Sequence, residues 1–240
     1  MKNLKRYLGP KIATIILLAL AVALLTNPQI AHKILDMGDF NQSAVVEVGQ
    51  HLGQIDDEGL NALLQSVMVG EAESVNYDRK EWISSSQWYA CNKNHPCDGE
   101  YTSIRTYSFY ESEWYDWNAM EYTDPYTGEK IQSVKQTDYD HIVPLAYANS
   151  HGGAEWTEED KRAFADDPLN GVCCTQYDNR SKGAKPPSKW LPQKNVEDYC
   201  YTWLLVCQHY GISLSQEDMN AIVEVLLKAD VGSLTPINEY

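Results

Sequence analysis

A histidine and two carboxylates stand together in the segment Asp138-Tyr139-Asp140-His141, and these are side chains that can do chemistry. The apolar residues 142–145 follow directly, so the histidine lies at the edge of an apolar stretch and not in an open polar loop. A neutral imidazole is available as a base near pH 7, because its unperturbed pKa is about 6.5. A carboxylate beside it is the hard oxygen ligand that Mg²⁺ prefers. The segment therefore predicts base-assisted hydrolysis with a divalent cation.

Amide and basic side chains downstream supply the remaining parts of phosphodiester hydrolysis. Asn170 and Asn179 carry amide oxygens. Three cations follow in the sequence, and they are Arg180, Lys182 and Lys185. A divalent cation neutralises the charge that develops on the phosphate, and basic side chains position the nucleic-acid backbone. Because Mg²⁺ keeps several of its waters, Asp140 and Asn179 are a sufficient pair of protein ligands.

The charge of the chain limits the kinds of nucleic-acid protein it can be. The formal net charge is −15, which argues against a protein bound permanently to nucleic acid, since phosphate contacts supply most non-specific affinity. An enzyme that must release its product is compatible with that charge. Residues 179–194 contain Lys and Arg but no Asp or Glu, and we interpret them as a local nucleic-acid footprint. The alternative is an ordinary solvated face.

The segments around these residues predict the order strand, long connection, strand, helix. The first strand ends within residues 142–145, and 146–153 are interpreted as a loop. Thr157 begins a capping-box-like helix that ends before Pro168. The apolar and β-branched residues 169–175 predict the second strand, and 177–182 predict a short helix. Strict alternation would place Asp140 and His141 on opposite faces of the first strand, so a shared site requires a bend or bulge there.

The rest of the folded part is predicted to be mostly helical packing. Residues 60–68 have the apolar spacing of a short amphipathic helix, and residues 124–128 form a turn that leads into a strand at 130–134. The pattern does not determine the structure of residues 98–124. Helices are predicted at 196–209 and, capped by Ser215, through Ala229. The predicted fold class is α+β.

The N-terminus has the features of an export signal. A basic region precedes an apolar run from Ile12 to Leu25, which is shorter than the roughly 20 residues of a spanning helix. No clear cleavage site follows, so a signal peptide and an uncleaved membrane anchor both stay open. We predict a signal or anchor at 1–27, a linker or stalk at 28–58 and a nuclease-like domain at 59–240. The predicted location is extracellular or at the cell surface.

Six cysteines are consistent with an oxidising compartment. Cys91 and Cys97 bracket a short loop and predict a local disulfide, with a zinc site as the alternative. Cys200 and Cys207 are two helical turns apart, about 10.5 Å, which is too far for a bond between them. We therefore expect each of them to pair elsewhere, with Cys173 or Cys174 as the obvious partners.

These motifs together resemble the HNH family of nucleases, whose core is a ββα-metal unit. The resemblance is carried by Asp140-His141-Ile142-Val143-Pro144-Leu145, by Asp167-Pro168-Leu169-Asn170, by Asn179-Arg180-Ser181-Lys182-Gly183 and by Trp190-Leu191-Pro192. It is strongest to the exported bacterial branch related to the C-terminal domain of GmrSD-type restriction enzymes, and it spans roughly residues 60 to 228. The resemblance implies a ββα-metal core with additional packing helices.

The resemblance also implies a role for each candidate residue. His141 matches the general base, and Asn170 matches the asparagine that orients it. Asp140 and Asn179 match the metal ligands, for Mg²⁺ or Mn²⁺. The basic residues near the substrate backbone are matched by Arg180, Lys182 and Lys185.

We predict from these observations a metal-dependent endonuclease that hydrolyses DNA or RNA outside the cytoplasm. The membrane is a further partner if the N-terminal segment stays uncleaved. One alternative is an HNH-like surface module that binds nucleic acid with weak or no cleavage, because the chain departs from the branch after Cys97 and is acidic. The other is a disulfide-stapled surface interaction protein.

Overall fold

The computed structural model describes residues 57–83 and 103–238. The predicted signal or anchor at 1–27, the linker up to residue 56, and Cys91 and Cys97 lie outside the described residues. Within the described ranges, no helix combines the length and the apolar character that crossing a bilayer requires.

The described residues form a mixed arrangement of helices and strands, which confirms the α+β fold class. The helices are α1 (Glu58–Ser66), α2 (Arg79–Trp82), α3 (Ile104–Glu111), α4 (Leu145–Ser150), α5 (Glu158–Asp166), α6 (Gln176–Lys182), α7 (Val196–Tyr210) and α8 (Gln216–Leu226). The strands are β1 (Tyr115–Asp116), β2 (Glu121–Thr123), β3 (Lys130–Ile131), β4 (Thr137–His141) and β5 (Gly171–Thr175).

Two small antiparallel sheets organise the chain. The first has the order β1-β2-β3, and the second is the pair β4-β5. In the second sheet Thr137 lies opposite Thr175 and His141 lies opposite Gly171, and the pairing is continuous between these ends. Helix α6 begins directly after β5. The predicted order of strand, long connection, strand and helix is confirmed.

Side-chain caps explain where the helices beside the site begin. Thr157 accepts a hydrogen bond from the backbone N–H of Asp160 at 3.2 Å and starts α5. Thr175 accepts one from Asp178 N–H at 3.1 Å and starts α6, while Ser215 starts α8 in the same way. Such a cap satisfies an N–H group that the first turn of a helix leaves unpaired. Helix α6 ends at Lys182, and Gly183 follows with a φ of +54°, which is unfavourable for other residues.

Several segments differ from the sequence predictions. The first strand ends at His141, and residues predicted as a loop form α4, which begins after Pro144 and buries Leu145, Tyr147 and Ala148. The predicted strand at 130–134 is limited to Lys130–Ile131, and a 3₁₀ turn follows. Helix α8 ends at Leu226 and not at Ala229. In each case only a few residues are involved, so the hydrophobic period carries little information about them.

The main hydrophobic core is formed by α7, α8 and the segments that pack on them. Trp203, Leu204, Tyr199 and Ile222 are buried in it. A smaller cluster, which includes Phe109, Tyr122, Ile131 and Tyr139, fills the space between α3 and the first sheet. The β4–β5 pair contributes to both clusters, through Val172 to the main core and through Tyr139 to the smaller one. The candidate site is therefore supported from two sides.

The cysteines that the structure describes are free thiols, which corrects the predicted pairing of Cys200 and Cys207 with Cys173 or Cys174. All four are buried. Burial raises the pKa of the Cys173 and Cys200 thiols to about 12, so both stay protonated at neutral pH. Because the thiolate is the nucleophile in disulfide chemistry, these groups react slowly while the protein is folded. They act as small apolar side chains of the core.

The four buried free thiols should react with alkylating reagents only when the protein unfolds. Without reductant, alkylation in denaturant should label Cys173, Cys174, Cys200 and Cys207, and the native protein should be labelled at these positions far more slowly. Peptide mapping by mass spectrometry measures both. Detection of a disulfide between any two of the four in unreduced protein would contradict the expectation.

Candidate active site

The faces of β4 separate the predicted site residues into two groups. Asp138 and Asp140 contact side chains of α6, whereas the rings of Tyr139 and His141 pack together with centroids 5.7 Å apart. The register with β5 runs without an extra residue from Thr137 to His141, so the bulge expected near His141 is absent from this strand. Ordinary strand alternation therefore places Asp140 and His141 on different faces.

His141 is held at the end of β4 by a hydrogen bond to the connection between the strands. Its side chain is buried, and Nε2 lies 2.8 Å from the carbonyl oxygen of Ala165, at the C-terminal end of α5. A carbonyl oxygen only accepts, so in the neutral ring the proton is on Nε2 and Nδ1 is the basic nitrogen. A fixed tautomer with a defined basic nitrogen is what a general base requires.

Asn170 fixes the backbone that follows His141. Its Oδ1 accepts from the N–H of Val143 at 2.8 Å, and its Nδ2 donates to the carbonyl of Val143 at 3.1 Å. The backbone N–H of Ile142 also donates to the carbonyl of Asn170, at 2.9 Å. These bonds hold residues 142 and 143 from both sides. The structure thus connects Asn170 to His141 through the main chain, and the contact to the imidazole comes from Ala165.

Asp140 lies in the interior, where both of its carboxylate oxygens accept hydrogen bonds. Oδ1 accepts from Lys182 Nζ at 3.0 Å, and Oδ2 accepts from the hydroxyl of Tyr126 at 2.8 Å. Burial raises the pKa of the Asp140 carboxyl above its ordinary value, and Lys182 and Tyr126 oppose part of that rise. The carboxylate is therefore satisfied by protein groups on both oxygens.

Lys182 occupies a different environment from the one predicted for a substrate-binding cation. Its side chain is fully buried, and its ammonium donates to Asp140 and, at 2.7 Å, to the carbonyl oxygen of His141. A phosphate in solvent cannot reach a fully buried ammonium. Lys182 instead binds the protein interior at the end of β4, through Asp140 and the main chain of His141.

Sequence reasoning missed Tyr126, which the turn at residues 124–128 inserts below β4. Asp124 accepts from the N–H groups of Tyr126 at 2.7 Å and Thr127 at 3.0 Å, and it also accepts from the N–H of Thr175 at the end of β5. The tyrosine ring packs edge-on against Trp190, with centroids 5.3 Å apart. The Asp-Pro-Tyr-Thr-Gly pattern was a signal for the turn, but nothing local indicated that its tyrosine reaches Asp140.

Asn179 contacts the other carboxylate of β4. Its Nδ2 donates to Asp138 Oδ2 at 3.2 Å, and Arg180 Nε lies 3.8 Å from the same oxygen. Asp138 is partly exposed, and Arg180 is 72% exposed at its side chain. The two predicted metal ligands, Asp140 and Asn179, therefore have different partners.

The basic side chains of the candidate site that reach the surface are Arg180 and the exposed lysines after α6. Lys185 is exposed, with its Nζ donating to the carbonyl of Ser181 at 2.7 Å. Lys189 forms an exposed ion pair with Glu217 at 2.6 Å. Arg180 and Lys185 thus face solvent as a phosphate contact requires, and Lys182 does not.

Only some of the predicted oxygen ligands are available to a divalent cation. Among the described residues, no three His, Cys, Asp or Glu side chains converge closely enough to hold a metal ion. The pair Asp140 and Asn179 does not fit a cation in this arrangement, because both oxygens of Asp140 are bonded to protein donors. Asp138 and Asn179 do fit chemically, since a carboxylate and an amide lie together on the partly exposed side of α6.

A close contact between Gly171 and Tyr139 leads to a prediction for the site. A Cβ at Gly171 would lie 1.6 Å from the hydroxyl oxygen of Tyr139 and 2.1 Å from its Cζ. Gly171→Ala must therefore displace the Tyr139 ring, which packs against His141. We expect a lower melting temperature and lower nuclease activity. Gly232→Ala, where the nearest atom is at 3.6 Å, is the control and should change neither. Wild-type values for both quantities in Gly171→Ala would contradict this reading of the contact.

Comparison with known proteins identifies the family. The family model described as GmrSD restriction endonucleases, C-terminal domain, matches residues 98–225, more than half of the chain. The chain belongs to this family. The GmrSD C-terminal-domain match includes β4, β5, α6 and all of the candidate site residues. It does not distinguish the bacterial branch, and the HNH assignment stays a prediction.

One curated relative adds information on sequence similarity. An uncharacterized secreted protein of Arthroderma benhamiae (strain ATCC MYA-4681 / CBS 112371) is 31% identical over 106 residues, which are 42% of this chain and 52% of the relative. The chain therefore spans about half the length of that relative. No solved structure matches this GmrSD C-terminal-domain protein.

Proposed function

We propose that the protein is a metal-dependent endonuclease that hydrolyses phosphodiester bonds in DNA or RNA with His141 as the general base. The observation that most directly supports this proposal is the hydrogen bond between His141 Nε2 and the carbonyl of Ala165. With the proton on Nε2, Nδ1 is the basic nitrogen. In this proposal Nδ1 takes the proton from the attacking water. Membership of the GmrSD C-terminal-domain family supports a nuclease reaction.

The supporting residues have separate tasks in this proposal. Asn170 holds the main chain at residues 142–143 and thereby fixes the position from which His141 acts. Arg180 and Lys185 are solvent-facing cations that contact the phosphate backbone. Such contacts carry no sequence information, so we propose weak sequence preference. The net charge of −15 favours fast release of the cleaved product.

Mg²⁺ or Mn²⁺ belongs to the proposal as the group that neutralises charge on the phosphate and leaving oxygen. Asp138 and Asn179 carry the carboxylate and the amide whose chemistry suits holding it. Because they lie on the α6 side of β4 and His141 packs on the other side, the proposal requires the end of β4 to bend when the substrate binds. Asp140 is not assigned to the cation, because its oxygens are bonded to Lys182 and Tyr126.

Export is the second part of the proposal. The N-terminal signal or anchor at 1–27 directs the linker at 28–58 and the domain at 59–240 out of the cytoplasm. The similarity to a protein described as secreted supports this part. Cell fractionation with N-terminal sequencing of the exported form tests it and distinguishes a cleaved signal from a retained anchor.

The activity is tested by digestion of supercoiled plasmid, single-stranded DNA and RNA by the purified protein. Cleavage of at least one substrate with Mg²⁺ or Mn²⁺ is expected, and its loss in excess chelator should be reversed by adding the cation back. Folded protein that cleaves none of these substrates with either cation would contradict the proposal.

A second candidate function is binding of nucleic acid without turnover. It is favoured by the burial of His141 and by the internal bonding of Asp140, because both limit access to the site. Retention of labelled oligonucleotide in a binding assay, together with no cleavage, would identify this case.

A further inference from the structure

The ammonium of Lys182 joins the two residues at the end of β4 by direct hydrogen bonds. It reaches this position from the last turn of α6 and donates to Asp140 Oδ1 at 3.0 Å and to the carbonyl of His141 at 2.7 Å. The first bond holds a side chain, and the second holds the main chain of the residue proposed as base. Lys182 therefore connects the end of α6 to His141, the last residue of β4.

The ion pair between Lys182 and Asp140 is buried, and burying two charges costs free energy. Taking an ammonium and a carboxylate out of water carries a penalty that their attraction offsets only when the remaining hydrogen bonds are made. Here they are made, because Tyr126 donates to the second oxygen of Asp140 and His141 supplies a further acceptor to Lys182. An apolar pair would fill the same space without that penalty, but it would leave the carbonyl of His141 without this donor.

The neighbouring lysine shows that the arrangement is particular to one position. Lys185 extends from the same end of α6 into solvent and donates only locally, to the carbonyl of Ser181. Lys182 is fully buried and connects residues more than 40 positions apart in the sequence. The two cations were predicted to share a role, and their surroundings differ completely.

We propose that Lys182 is a positioning residue that fixes the main chain of His141, with Asp140 as its buried counterion and Tyr126 as the donor that completes the network. In this proposal Lys182 does not contact the substrate, and Asp140 acts on Lys182 and not on a cation. The kinetic part rests on the proposed nuclease function, whereas the structural part does not.

The structural part is tested by the melting temperatures of Lys182→Met, Asp140→Asn and the double variant. Each single change leaves one buried group without its partner, and we expect each to lower the melting temperature by roughly 10 °C. The double variant should be more stable than the sum of the two losses predicts, because neither charge remains. Additive losses would overturn the network. Lys228→Met, at an exposed lysine just after α8, is the control for loss of a lysine.

The kinetic part is tested by the separate changes in kcat and KM. Lys182→Met should lower kcat by about 100-fold with KM within a few-fold of wild type, because a displaced base is poorly aligned. The double variant should keep that loss in kcat although its stability recovers, and Asp140→Asn alone should lose less. If Lys182→Met fails to fold, kcat and KM of the double variant test the same expectation.

Salt dependence distinguishes positioning from substrate contact. A lysine that binds phosphate contributes about one unit to the slope of affinity against salt concentration. Lys182→Met should leave this slope unchanged, while Lys185→Met should reduce it and raise KM. A raised KM with a reduced slope in Lys182→Met would overturn the proposal. If the wild-type protein has no nuclease activity, the proposed function fails, and the melting temperatures still decide the structural part.

Discussion

His141→Ala is expected to lower kcat by about 10²–10⁴-fold, the usual contribution of a general base. The imidazole is the side chain whose Nε2 is bonded to the carbonyl of Ala165, and alanine offers no replacement for its Nδ1. Loss of this bond also leaves the Ala165 carbonyl with a missing donor, which costs about 1–3 kcal/mol of unfolding free energy. Steady-state kinetics on plasmid or oligonucleotide, together with chemical denaturation, measures both effects.

His151→Ala is the matched control for this experiment. His151 is also buried, and its Nδ1 lies 2.9 Å from the carbonyl of Tyr147, so its removal has a comparable structural cost. It stacks on Tyr147 with centroids 3.8 Å apart, outside the candidate site. We expect both variants to lose similar stability and only His141→Ala to lose its activity. Equal activity of the His141→Ala and wild-type proteins would remove His141 from the mechanism.

Trp82→Ala is expected to lower the free energy of unfolding by about 3–5 kcal/mol. Trp82 is 1% exposed and packs against Phe164 and Trp156, with centroids 5.6 and 5.7 Å away. Phe164 belongs to α5, which also carries the carbonyl that holds His141. For a domain of this size, the loss corresponds to a fall in melting temperature of roughly 10 °C.

Trp117→Ala is the control, because Trp117 is 56% exposed and its truncation opens no comparable cavity. A change of less than about 1 kcal/mol is expected there, as for most exposed positions. The comparison also tests whether residues 57–83, which precede the family match at 98–225, belong to the folded domain. A Trp82→Ala protein as stable as Trp117→Ala would show that this segment contributes little to the fold.

The elements that could be predicted are those with local signals. Thr157 and Ser215 each cap the helix that follows, as their positions in the sequence predicted, whereas the cap at Thr175 was not predicted. The strand, connection, strand and helix order follows from such signals together with apolar runs. Helix α4 was missed because it has only six residues and begins without a side-chain cap.

The environment of the site could not be predicted in the same way. From their neighbours in sequence, Asp140 was predicted as a metal ligand, Lys182 as a substrate-binding cation and Tyr126 only as part of a turn. Their burial depends on how α6 and the turn at 124–128 pack below β4. The pairing of charges across about 40 residues is a tertiary property, and no local pattern encodes it.

The placement of His141 had a partial signal in the sequence. Strand alternation correctly indicated that Asp140 and His141 lie on different faces, and the continuous β4–β5 register shows that no bulge in this strand reverses it. The expectation that one cation would join Asp140 with Asn179 came from the family resemblance. The structure instead places Asn179 beside Asp138.

The pairing of β4 with β5 also has a consequence for the order of folding. His141 meets Gly171 only after the intervening segment, with α4 and α5, has closed into a loop, and such non-local pairings form late because the loop entropy must be lost first. Ala165 and Lys182 reach His141, and Asn170 reaches Ile142, only through that closure. The unfolded chain therefore carries every residue of the candidate site but not the site itself, so the proposed nuclease activity should appear only when this pairing is complete.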